Sequence, residues 1–156
     1  MVSSDLDNVA KLELLRAQRA QLANRLKTPW WYVAATVFAW AAAFAMPIGS
    51  HYFIGAGVWC ALLAIVVFFL AQHALAMVSG VDVGIRTWQY PSGRAWTIAM
   101  IVVIVAATGV ETLSLEHGLL AAAVVVGVLA TLAGTGCSQG HLRGIRRDLE
   151  TGGVAI

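Results

Sequence analysis

Four long apolar runs dominate the chain, at about residues 29–48, 53–79, 95–113 and 117–137, with short polar breaks between them. A membrane-spanning helix needs roughly 20 mostly apolar residues. None of the four runs contains Lys, Arg or Asp, and the only acid among them is Glu111. The second run is long enough to span with some tilt. The runs are continuous and do not alternate, so they read as helices and not as barrel strands. The pattern predicts an all-α fold: a four-helix transmembrane bundle over residues 29–137. It is preceded by a helical segment (1–28) and followed by a polar tail (138–156).

Residues 5–27 read as an amphipathic helix. Ser4 can cap it, and Asp5 and Asp7 suit its positive end. Leu12, Leu15, Leu22 and Leu26 fall on one side of the helical wheel, with Arg19 among the heptad positions. Two heptads are too few to establish a coiled coil. Three roles stay open for this helix: dimerisation, lying on an anionic membrane surface, or packing on the end of its own bundle. Thr28-Pro29 marks a fresh helix start, with Thr28 as cap and Pro29 at the first helical position. Trp30, Trp31 and Tyr32 then read as aromatic anchors at the interface. The longest connection, 80–94, carries Trp88 and Tyr90 as further anchors. Ser92 is the expected cap of the third span. Ser114 is the expected cap of the fourth, with Glu116 favourably placed on its dipole.

Composition confirms the class. Hydrophobic residues are 60% of the chain and charged ones 12%, at a mean hydropathy of +0.79. A soluble domain carries about 25% charged residues, and a chain this short has too little interior for so much apolar surface. Disorder is excluded outside the termini by the same numbers. Charge then sets orientation. Lys11, Arg16, Arg19, Arg25 and Lys27 precede the first span, Arg86 and Arg94 separate spans two and three, and Arg143, Arg146 and Arg147 follow span four. All ten basic residues fall on one side of a four-span topology. Basic residues stay cytoplasmic, so both termini are expected inside, in a multi-pass protein of the bacterial cytoplasmic (inner) membrane. No signal peptide is evident, and the first span reads as an uncleaved anchor. The three arginines of the tail are explained by topology, so no nucleic-acid partner is expected. The lipid bilayer, a second copy or a larger membrane partner is.

Small residues supply the means of helix association. The fourth run spaces Ala123, Gly127, Ala130 and Gly134 for close backbone approach, followed by Gly136, Gly140 and Gly144. Cys60 and Cys137 lie at different depths, about 20 Å apart along the membrane normal, and cannot pair.

Candidate chemistry is sparse. The polar groups within the apolar runs are Gln72 and His73 in the second, and Thr108 and Glu111 in the third. Intramembrane polar groups are functional candidates by default. His73 could relay protons, ligate a metal or haem, or hydrogen-bond a neighbouring helix. Its depth does not match that of His141, which argues against an axial haem pair. His51, Glu111, Glu116 and His117 form an outer rim of imidazole and carboxylate, the donor set of zinc or another divalent ion, although the spacing matches no signature. No phosphate-cradling glycine loop, H-E-x-x-H or G-x-S-x-G occurs. The first span lacks the embedded acid expected of a small four-span exporter.

The stretch R-x-x-R-x5-R-x-K-T-P-W-W-Y (Arg16–Tyr32), the Ala/Val-rich spans and the short basic tail resemble small four-span integral membrane proteins of high-GC bacteria. The resemblance covers most of the chain in pattern. It implies no activity, and no functional residue carries over from it. The expected function is therefore non-enzymatic and without a cofactor: a subunit, scaffold or regulator acting through helix–helix association. An oligomeric transporter using His73, Gln72 and Glu111 is the second expectation, and a haem or metal redox protein the third.

Overall fold

The computed structural model describes residues 10, 11, 13–15, 17, 18, 21, 28–53, 55–80 and 91–151. Four helices follow one another: α1 (Trp30–Tyr52), α2 (Ala56–Ser79), α3 (Pro91–Glu116) and α4 (Leu120–Thr151). All four are long and apolar enough to cross a membrane. At 1.5 Å per residue even the shortest exceeds a hydrocarbon core of about 30 Å. Among the described residues there is no strand.

Tight turns pair the helices. Gly55 (φ 86°) opens α2 three residues after α1 ends, and Gly118 (φ 73°) sits in the equally short α3–α4 turn. Both need the left-handed backbone that glycine adopts at no steric cost. The result is two antiparallel hairpins, α1–α2 and α3–α4, with α1 packing on α3 and α4. Among the four described helices, the backbone of α2 closely approaches that of α1 alone. The ends of the described bundle therefore differ. One carries Thr28, Arg94, Arg143, Arg146 and Arg147, here termed the arginine end. The other carries the two turns, with neither Lys nor Arg in them.

The core lies in layers. Near the arginine end, Tyr32, Ala71, Leu75, Leu142, Ile145 and Leu149 are buried together. At mid-depth, Trp40 and Phe44 pack on Ala107 and Ala130. The glycines of α4 make this approach possible. A Cβ on Gly134 would sit 2.6 Å from the Trp40 ring, and one on Gly140 would sit 2.6 Å from the Trp96 ring. Gly136 is different: nothing lies within 4 Å of the position its Cβ would take. So Gly127, Gly134 and Gly140 serve packing within one chain, while Gly136 lies open.

The structure adds detail at the helix ends. The helix that holds the fourth apolar run continues beyond residue 137 to Thr151, so most of the 138–156 segment is helical. It begins at Leu120, and Ser114 does not cap it: the Ser114 hydroxyl donates to Val110 O within α3. Glu116 consequently ends α3 instead of opening α4. At α1 the cap residue is Pro29, without a side-chain cap from Thr28, and the helix continues through Pro47 to Tyr52. In the N-terminal segment, Ala10, Lys11, Glu13, Leu14, Leu15, Ala17, Gln18 and Gln21 have helical backbone, and Leu15 is exposed. Leu12, Leu22, Leu26 and the rest of the expected 5–27 helix lie outside the described residues, as do Trp88 and Tyr90.

Candidate functional site

The polar groups of the bundle are spent on separate tasks at separate depths. Closest to the arginine end, Asp148 of α4 holds the start of α3. Its carboxylate accepts from Ser92 N at 3.0 Å and from Ser92 Oγ at 2.6 Å. The first N–H groups of a helix lack intrahelical acceptors, and an anion there also meets the positive helix end. Ser92 is thus not itself the cap: a carboxylate from another helix does that work. Two turns away along α4, His141 is buried, with Nδ1 3.1 Å from Gly93 O. These two contacts clamp α3 to α4.

About 10 Å into the bundle from the end of α2, Gln72 Nε2 donates to Tyr32 Oη at 2.9 Å. Tyr32 is 1% exposed, so it is a core residue and not an interfacial anchor. Trp30 keeps the outward position expected of an anchor, and Trp31 is half-buried. The other amide atom, Gln72 Oε1, is buried and finds no partner among the described residues. His73, the next residue, is turned away from the bundle and exposed on the face that carries Val66, Phe69, Leu70 and Met77. At mid-depth, Trp40 Nε1 donates to Ser138 Oγ at 3.1 Å, while its ring stacks on Phe44 at 5.7 Å and 15°.

Glu111 is the most unusual group. It sits 0% exposed on α3, and neither carboxyl oxygen has a hydrogen-bond partner among the described residues. It fits because Gly127 of α4 has no side chain: a Cβ there would lie 2.7 Å from Glu111 Oε1. Thr108, one turn below, is half-buried, and its carbonyl accepts from Thr112.

The sequence-derived groupings do not assemble. Glu111 lies inside the bundle while His51, Glu116 and His117 are exposed at the turn end, so the expected outer rim is divided. Among the described residues no three His, Cys, Asp or Glu side chains are placed to share a metal ion. His73 and His141 are likewise separated, one facing outward and the other held at Gly93. The three transport candidates diverge as well. Gln72 is used by Tyr32, His73 faces away, and Glu111 lies about 20 Å deeper along the bundle than Gln72. Cys60 and Cys137 are both free thiols.

Sequence reasoning missed Asp148, Trp40 and Ser138. Asp148 reads as one charge in a mixed polar tail, and its helical phase was the only available signal. Trp40 reads as one aromatic in an apolar run. No protein-family model matches this chain, and neither does any curated protein or solved structure.

Proposed function

We propose that this chain is a non-enzymatic membrane subunit, scaffold or regulator. It works by associating with another membrane-spanning chain, either a second copy or a larger partner. One observation carries the reading: an imidazole, His73, stands on the outward face of α2, whose backbone, among the four described helices, closely approaches α1 alone. Lipid offers an imidazole no hydrogen-bond partner, whereas a neighbouring helix does. Such polar groups hold membrane helices together at about 0.6 kcal/mol on average and up to about 1.7 kcal/mol. Phe69, Leu70 and Met77 would supply the packing around it. The arginine end is proposed to be cytoplasmic, in the inner membrane of a bacterium, because basic residues resist translocation. The test is the mass of the complex released from native membranes, for wild type and His73→Leu. A complex larger than one 16.5 kDa chain, weakened in the variant, supports the reading. A single chain in both contradicts it.

Glu111 favours a second reading, ion or small-solute transport by an oligomer. A buried carboxyl with no partner is costly in a packed bundle and is the kind of group that binds a proton or cation in transit. Its test is ion flux in liposomes with wild type and Glu111→Gln. Equal flux, or none in either, counts against transport.

A further inference from the structure

An unassigned groove lies between α3 and α4 at the arginine end. Its volume is about 270 Å³, and it is lined by Ser92, Trp96, Gly136, Gly140, Arg143 and Arg147, with Gly144 at its base. We propose that this groove binds the phosphoryl headgroup of an anionic phospholipid from the adjoining leaflet, with an acyl chain descending along the glycines.

The groove has the two-part character of its ligand. Arg143 and Arg147 are one helical turn apart, so both guanidinium groups project from one face of α4. Counting 20 residues from Leu120 brings the hydrocarbon boundary to about residue 139, so the arginines stand just beyond it, at headgroup depth. Trp96 marks the same level from α3. Its ring lies flat on Gly140 and is 41% exposed, the placement of an interfacial indole. Toward the membrane interior the wall is Gly136, with nothing within 4 Å of its would-be Cβ. That notch is open on the side where an acyl chain would run. Of the nearby acids, Asp148 turns both oxygens to Ser92, and Glu150 is paired with Arg146 at 2.9 Å. A basic pocket between membrane helices at headgroup depth is complementary to a lipid phosphate. Arginine adds the forked geometry that matches phosphoryl oxygens.

The experiment titrates phosphatidylglycerol, phosphatidylcholine and inorganic phosphate separately into delipidated full-length protein, with adducts counted by native mass spectrometry. Expected is one tight phosphatidylglycerol adduct and markedly weaker phosphatidylcholine binding. Exchanging both arginines (Arg143→Gln with Arg147→Gln) should lower phosphatidylglycerol affinity roughly 30-fold, about 5-fold for each. The pair Arg143→Lys with Arg147→Lys should retain most of it. Gly136→Leu, whose Cβ would meet nothing within 4 Å, should also weaken lipid binding while leaving both charges in place. Equal binding of the two lipids overturns the proposal, as does undiminished phosphatidylglycerol binding by both the glutamine pair and the leucine variant. Inorganic phosphate that binds as tightly as phosphatidylglycerol and displaces it assigns the groove to a free anion and overturns the lipid assignment.

Discussion

Gly134→Ala and Gly136→Ala differ by two positions on one helix and should behave oppositely. At Gly134 the new Cβ would sit 2.6, 2.8 and 2.9 Å from three atoms of the Trp40 ring. Ordinary contact begins near 3.4 Å, so the ring must retreat by about 0.8 Å. It has little freedom to do so. Its other side stacks on Phe44, and its indole N–H is tied to Ser138 at 3.1 Å. Overpacking of this kind costs about 1–3 kcal/mol, and losing the interhelical hydrogen bond adds about 0.6 kcal/mol. At Gly136 nothing lies within 4 Å, so the same methyl group meets open space. Both variants gain alanine's helix preference over glycine, about 1 kcal/mol, which cancels in the comparison. The expected gap is about 2 kcal/mol, roughly a 30-fold difference in folding constant. Reversible unfolding in mixed micelles of increasing SDS content, followed by tryptophan fluorescence, reads it directly. Equal stability of the two variants within about 0.5 kcal/mol would refute the packing of α4 on Trp40.

Three further outcomes are expected from the same assay. Asp148→Ala should destabilise by about 1–2 kcal/mol, because it leaves the Ser92 N–H and hydroxyl at the start of α3 without their acceptor. Tyr32→Phe should cost about 0.5–1.5 kcal/mol, and most of that cost should disappear in a Gln72→Leu background, since the two side chains bond each other. Glu111→Met should leave stability unchanged or raise it by about 1–3 kcal/mol, because it removes two buried oxygens without partners; a clear loss would show that the carboxyl is bonded after all.

The four spans were legible because hydrocarbon thickness imposes a run length that a sequence displays openly. Helix phase was not. Glu111 reads as a rim residue, yet it points inward, because its direction is fixed by the notch at Gly127 on another helix. Tyr32 reads as an interfacial ring beside Trp30 and Trp31, yet Gln72, forty residues away, draws it into the core. The helical continuation of α4 past the apolar run was not legible either. Glycines at 134, 136, 140 and 144 weaken a helix on intrinsic propensity, so composition alone does not predict helix beyond Cys137. Close packing on Trp40, Trp96 and Ser92 overrides that propensity, since only glycine allows the approach. His73 reads as a candidate from its type and depth. Its outward direction is a matter of helix phase: Ala71 and Leu75 of α2 face the core, and His73 lies on the opposite, exposed face.

We propose that α2 carries an association face with His73 in it. The most direct test is native mass spectrometry of the protein released from its own membranes. Expected is a complex containing at least one further membrane chain beside the 16.5 kDa subunit, with occupancy falling several-fold in His73→Leu. Release of the lone 16.5 kDa chain from wild-type membranes, under conditions that preserve known membrane complexes, would contradict it.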